Sequence, residues 1–391
     1  MKKYIFALFL TAVLTAAVAV PCGYTAFAET PECAYKALYV ADYDTGTVIS
    51  SENADARYPI ASMVKIMTLT LAFEEIDKGK MSFDETVTVS DYAAHMGGSQ
   101  MFLDANAQYK IYDLMKGVAV CSANDAAVAL AERISGNISS FVDKMNAYAK
   151  EIGMNDTLFC NATGLPDSGE QYSTARDVTT MMRKLLSHPR YYEFSKIWME
   201  DFTHPSGRVT EMVNTNKLIR IMSECDAGKT GFTNEAGFCL SASAKAGETR
   251  VVATILGCDN GKARFNKVAQ TLRYALGKYE TKTVVNKGDA IPYTAEVAKA
   301  KSVPSEVYCG SDIKIFHEKA VNDNYSVDIE FYDDLVAPVS GETPIGEIKL
   351  IRDGENVQTA YLYARDGISR ATYGDSIKRV IENWFLAKIN G

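Results

Sequence analysis

Two stretches of strand-like sequence stand at opposite ends of a long helical region, and that arrangement limits the fold more than any other feature. From Lys229 to Cys258 the chain reads KTGFTNEAGFCLSASAKAGETRVVATILGC, two β-strands around a turn at Ala246-Gly247-Glu248. Near the start, Tyr35 to Ile49 alternates in part around Asp44-Thr45-Gly46, which predicts a hairpin. Between them, helical periodicity runs from about Ser62, from Tyr112 to Ser135 around a polar interruption, from Ile138 to Ile152 and from Ser173 to Leu186. A helix over about Arg264 to Lys278 closes this part. Strands at both ends with helices between predict an α+β fold, an antiparallel sheet flanked by helices.

The texture changes near Tyr279. SVDIEFYD alternates, with Val327, Ile329 and Phe331 on one face, and GEIKLIRDGENVQTAYLYA reads as a hairpin around Asp353-Gly354. Long helical periodicity is missing here, which predicts a small all-β domain. The last segment is helical again: Ile377, Val380, Ile381, Trp384, Phe385 and Ile389 form a stripe against Lys378, Arg379, Glu382 and Lys388. Such a helix either docks on the body of the protein or lies in a membrane interface with Trp and Phe as the buried wedge. The expected domains are 1–28, 29–278, 279–370 and 371–391.

The first of these is an export signal. MKKYIFALFLTAVLTAAVAVPCGYTAFAET has a basic start, an apolar run and a small-x-small site at Ala26-Phe27-Ala28, so cleavage is expected after Ala28. Pro21 argues against lipidation at Cys22. The apolar run is short for a membrane span. The 391-residue chain carries a formal charge of −8 and no basic run with interleaved aromatics, which argues against nucleic acid as a partner. Eight cysteines are scattered without a C-x-x-C pair, and removing the signal leaves an odd number. The reading is neither a disulfide framework nor a zinc site.

The chemistry begins in YPIASMVKIMTLTLAFEE, Tyr58 to Glu75, where Lys65 interrupts an apolar helix one turn after Ser62. Residues three apart share a helix face. Burial disfavours an ammonium charge, and a neutral amine beside a hydroxyl is a base beside a nucleophile. On this stretch alone, a serine cap followed by a lysine that reaches water is the favoured reading. SDIK at Ser311 to Lys314 has the same spacing without the apolar setting. Two further polar groups interrupt apolar surroundings. Ser122 and Asn124 in CSAND are placed to relay a proton or to cap a helix. Lys229, Thr230 and Gly231 open a strand, where the first two can hold a carboxylate and the glycine lets a substrate backbone approach. His95, His188, His204 and His317 supply no evident triad. The sum is a serine acyl-transfer site without histidine.

Ser62-Met63-Val64-Lys65, Ser122-Ala123-Asn124 and Lys229-Thr230-Gly231 match the S-x-x-K, S-x-N and K-T-G boxes in order. With SANDAAVALAE, FCNATGLP at Phe159 to Pro166, YSTARDV at Tyr172 to Val178 and KTGFTNEAGFCLSASA, the chain from about Tyr35 to Leu276 resembles the low-molecular-mass D-alanyl-D-alanine carboxypeptidases of the serine S11 type. The resemblance implies that Ser62 attacks the carbonyl between two terminal D-alanines while Lys65 takes its proton. It further implies that the backbone N–H groups of Ser62 and Phe232 hold the oxyanion. Ser122 and Asn124 serve proton return, and Lys229 and Thr230 bind the terminal carboxylate. The implied partners are a peptidoglycan stem ending in D-Ala-D-Ala, β-lactams that acylate Ser62, and a membrane surface under the last helix, at the outer face of the cytoplasmic membrane. No cofactor or metal is implied. Some members have histidine where Phe232 stands, which puts acceptor preference in doubt. The middle box is S-A-N rather than S-D-N.

Four rival readings stand beside this one. A serine β-lactamase of class A relies on a glutamate, and Glu170 lacks the surrounding E-x-x-L-N pattern. A DD-endopeptidase or transpeptidase would use the same boxes. An envelope-binding protein with a retired site is disfavoured by intact boxes, and a metallo-carboxypeptidase by the lack of H-E-x-x-H.

Overall fold

The computed structural model describes residues 33–389 except 167–168, 293–296, 303, 305 and 322–323, and in the last helix leaves out the side chains of 382, 383 and 385–389. The expected export signal over 1–28, with Cys22, lies outside the described residues.

The alternating segments from the two ends of the helical region meet in one sheet. Its spatial order is Val48–Glu52, Ala37–Asp42, Thr249–Cys258, Gly237–Ala246, Cys225–Thr233, antiparallel throughout. Ala37 stands opposite Leu256 and Asp42 opposite Val251. Side chains alternate between faces with period two. Leu38, Val40, Val251, Ala253 and Ile255 therefore pack with Phe265, Val268 and Leu272 of the Gly261–Lys278 helix. Tyr39, Ala41, Val252 and Leu256 enter the opposite core with Leu69, Met115, Leu130 and Met181. Those four come from the helices Lys65–Asp77, Ile111–Val120, Asn124–Ser135 and Ala175–Leu186. A strand buried on both faces reads as a near-continuous apolar run, which is how VVATIL reads.

The cysteine expectation needs correction. Cys33 and Cys258 form a disulfide across a sequence separation of 225, with Cα atoms 6.2 Å apart. It clamps the start of the described chain to the end of the central strand. Among the described residues, Cys121, Cys225, Cys239 and Cys309 are free thiols.

From Tyr279 to residue 372 the described elements are strands. A five-stranded sheet runs Ala290–Ile291, Val307–Cys309, Glu355–Ala364, Pro344–Arg352, Tyr325–Phe331, beside a pair formed by Tyr279–Val285 and Ile313–Glu318. Its core holds Ile313, Ile315, Ile345, Ile348, Leu350 and Leu362. The Asp353-Gly354 turn has φ of 53° and 83°, the doubly left-handed hairpin geometry that such a dipeptide favours. Val327 and Ile329 stand opposite Leu350 and Ile348 but are 37% and 41% exposed, because their strand is the sheet edge. Thr281 Oγ1 donates to Asp42 Oδ1 at 3.1 Å and Lys314 Nζ to Asp44 Oδ1 at 2.8 Å, tying this part to the first sheet. Lys314 of the SDIK tetrad is thereby a structural tie. The closing helix spans Tyr373–Ile389. No helix among the described residues is long and apolar enough to cross a membrane.

Candidate active site

Ser62 does not open an α-helix. It lies in a 3-10 turn, Ala61–Val64, and the α-helix begins at Lys65. The α-helix has no side-chain cap, so the hydroxyl of Ser62 is not consumed at a helix start. Lys65 Nζ stands 2.9 Å from Ser62 Oγ and donates to Thr163 O at 2.7 Å. Lys65 is fully buried. Burial first, and the charge of Lys229 second, hold its pKa well below the ordinary lysine value. The cap-and-snorkel alternative is therefore not what the chain does.

Ser122 likewise caps nothing. The Asn124–Ser135 helix has Ala123 at its N-cap with no side-chain cap bond. Ser122 adopts φ of 62°, a left-handed value unusual for a side-chain-bearing residue. Strain of this kind gathers at functional sites. Its hydroxyl accepts a hydrogen bond from Lys229 Nζ at 2.7 Å. Lys229 is fully buried, and burial lowers its pKa to about 7. Asn124 Nδ2 donates to Gly97 O at 2.7 Å, while its buried Oδ1 has no partner among the described residues. An unpaired buried amide oxygen is costly and suits a group waiting for a substrate donor.

The K-T-G strand, Cys225–Thr233, is the edge of the first sheet. Thr230 is nearly buried, and Phe232 is exposed and stacked on Phe238 at 4.3 Å. The glycine expectation shifts. A Cβ on Gly231 would lie 2.6 Å from Ile60 O and 3.3 Å from Ala61 Cβ, so what approaches this residue is the turn that carries Ser62. The structure thus gathers Ser62, Lys65, Ser122, Asn124 and Lys229 between the edge strand and two helix starts, with Thr230, Gly231 and Phe232 along that edge.

Several contributors were not read from the sequence. FCNATGLP supplies Thr163 O to Lys65, and Asn161 Oδ1 shapes that turn by accepting from Thr163 N at 3.0 Å and Gly164 N at 2.7 Å. Gly164, at φ of 81°, would place a Cβ 1.9 Å from Ala61 O, so only glycine fits beneath the turn that carries Ser62. The N-G spacing of a tight turn was the available signal. Asp125, buried, accepts from Met101 N at 3.1 Å and Leu103 N at 3.0 Å, fixing the loop beside Asn124. A cavity of about 460 Å³ opens next to the turn that carries Ser62, lined by Ile60, Ala61, Gly164, Tyr172, Thr233 and Glu235. The histidines are elsewhere engaged: His188 with Asp77 at 2.8 Å and His204 with Tyr109 at 2.9 Å.

A helix-flanked sheet with a serine and two buried lysines at its open edge defines the transpeptidase-like class of serine enzymes. The solved penicillin binding protein 5 from Haemophilus influenzae matches at 30% identity and TM-score 0.69, over 87% of this chain and 99% of that one. The ampicillin-bound Penicillin-Binding Protein D2 from Listeria monocytogenes matches at 31% and TM-score 0.53, over 61% and 96%. The family described as D-alanyl-D-alanine carboxypeptidase matches residues 25–260, and that described as the C-terminal domain of penicillin-binding protein 5 matches 279–370. D-alanyl-D-alanine carboxypeptidase DacF of Bacillus subtilis is 35% identical over 350 residues, 89% of this chain and 90% of the relative. The chain belongs to the D-alanyl-D-alanine carboxypeptidase family.

Proposed function

We propose that this protein is a serine-type D-alanyl-D-alanine carboxypeptidase that trims the terminal D-alanine from peptidoglycan stems. The observation that carries the reading is the fully buried Lys65 held 2.9 Å from Ser62 Oγ. Lys65, kept neutral, accepts the Ser62 proton as Oγ bonds to the carbonyl carbon between the two D-alanines. The carbonyl electron pair moves to oxygen, facing the backbone N–H groups of Ser62 and Phe232. The C–N bond then breaks, and Lys65 with Ser122 returns the proton to the departing amine while Asn124 orients them. Lys229, protonated, and Thr230 hold the terminal carboxylate. Water next attacks the acyl ester, giving its proton to Lys65, and Ser62 leaves with that proton. β-Lactams offer the same carbonyl beside a carboxylate and acylate Ser62 by the same step.

The wider layout is part of the proposal. Residues 1–28 direct export, 29–278 carry the chemistry, 279–370 form a β-domain and 371–391 bind the membrane surface, placing the enzyme in the cell envelope. Exposure of Val380 at 70% and Trp384 at 61% supports the last point, which deletion of Asp375 to Gly391 tests by fractionation. Retention in the membrane fraction after deletion would assign the helix to protein docking. The main reading is tested by D-alanine release from a peptide ending in D-Ala-D-Ala, with Ser62→Ala as control. Absence of release from wild type, with Ser62 still labelled by penicillin, would favour the endopeptidase or transpeptidase alternative.

A further inference from the structure

The Gly261–Lys278 helix sends one side chain toward the active-site strand from behind. Asn260 caps the helix by accepting from Lys262 N at 2.8 Å and Ala263 N at 2.9 Å, which fixes its first turn and so the position of Arg264. Arg264 is 9% exposed, and its Nη1 donates to Gly231 O at 3.0 Å and Cys239 O at 2.8 Å. Gly231 and Cys239 are register partners on the edge strand and its neighbour. The guanidinium lies 5.4 Å from the Phe238 ring centroid and 4.6 Å from that of Phe265. Phe238 in turn stacks on Phe232. Among the described residues the buried Nε of Arg264 has no partner, and no nearby carboxylate offsets the burial that lowers the pKa of its guanidinium. A buried, uncompensated arginine is expensive to keep.

The peptide unit that Arg264 grips is the one between Gly231 and Phe232. In a trans peptide the C=O and N–H point in opposite directions. With Gly231 O turned toward Arg264 and the neighbouring strand, the Phe232 N–H is turned to the open edge. A charged donor on a carbonyl polarises the amide and strengthens its N–H as a donor. We propose that Arg264 is a positioning residue for the oxyanion site: its grip on Gly231 O orients and polarises the Phe232 N–H that meets the developing oxyanion. This rests on the reading of Ser62 and Phe232 given above. It assigns a catalytic consequence to a residue that touches neither substrate nor nucleophile, and explains why the helix behind the sheet carries a buried cation.

The test uses the full mature protein with Arg264→Gln and Arg264→Lys. Three quantities are measured: the penicillin acylation rate, the KM for a D-Ala-D-Ala peptide, and the Ki of a peptidyl boronic acid, whose tetrahedral adduct places an oxygen in the oxyanion position. For Arg264→Gln, acylation is expected to slow by about tenfold to a hundredfold, with boronate binding weakened by a similar factor and KM nearly unchanged. Arg264→Lys is expected to recover part of both losses. Acylation at the wild-type rate in a folded variant overturns the proposal. So does slower acylation with boronate affinity unchanged, which would make Arg264 a packing residue only. If Arg264→Gln does not fold, the same two readouts on Arg264→Lys decide. Wild-type protein that shows no Ser62-dependent labelling overturns the underlying reading, and the proposal with it.

Discussion

The two five-stranded sheets are built to different standards of burial. In the first, the strand Thr249–Cys258 is buried at nearly every position and has helices on both faces. In the second, the edge strand Tyr325–Phe331 is exposed along almost its whole length. The first sheet and the helix behind it also hold basic groups out of water, Lys229 and Arg264 among them, and the sheet is clamped by Cys33–Cys258. In the second, Cys309 is a free thiol and, among the described residues of its five strands, no polar or charged side chain is buried. A sheet covered on both faces supplies the dry surroundings that shift a lysine's pKa. A sheet with one core supplies only stability.

The largest expected break between the two is chemical. Lys65→Arg should slow penicillin acylation by about 10⁴-fold, because arginine does not lose its proton and so cannot serve as base. Mass spectrometry of the adduct checks this, with circular dichroism to show that the fold persists. A normal acylation rate would remove Lys65 from the role of base.

The pH profile should separate the two lysines. In the proposed mechanism Lys65 acts as a neutral base, so kcat/KM should rise as pH climbs through a limb lying well below the ordinary lysine range. In the same mechanism Lys229 acts in its charged form, so kcat/KM should fall as pH climbs through about 7. A bound substrate carboxylate favours the charged form of Lys229, so the falling limb in kcat should lie at higher pH than in kcat/KM. A profile flat across this range would contradict the pairing.

Stability tests sharpen the same contrast. Cys258→Ser should cost about 2–5 kcal/mol by opening a long covalent loop in the first sheet. Leu350→Ala should cost about 2–5 kcal/mol through a cavity in the second, with turnover unchanged at a temperature where the variant stays folded. Denaturant unfolding, paired with a D-alanine assay, measures both. The smallest effect is expected for Val327→Thr, within about 0.5 kcal/mol, since that side chain faces the second core but remains substantially exposed. A loss comparable to that of Leu350→Ala would mean that the edge face is covered in solution.

Much of this was legible in the sequence, for reasons of range. Period-two alternation in Lys229–Cys258, the apolar helix around Lys65 and the Asp353-Gly354 turn are local signals, but their bounds shifted: the α-helix starts at Lys65 rather than Ser62, and Lys229–Cys258 holds parts of three strands rather than two, with Lys229 in the middle of Cys225–Thr233. The three boxes were legible as motifs because each is a short run of fixed residue types along the chain. What the motifs did not contain was their mutual placement. Lys65 reaches Thr163 across 98 residues and Lys229 reaches Ser122 across 107. Spacing along the chain carries no trace of such contacts until helices and strands have packed. For the same reason the Cys33–Cys258 bond escaped a search for short cysteine spacings, Arg264 read as an ordinary helix residue, and Gly231 was given to the substrate when the turn of Ser62 occupies its space. The sequence by itself determined which elements form and which reactive groups the chain carries. Tertiary packing decided which of those groups lose their water, which hydroxyls stay free of caps and which backbone amide is turned outward, because burial and orientation exist only once distant segments share a core.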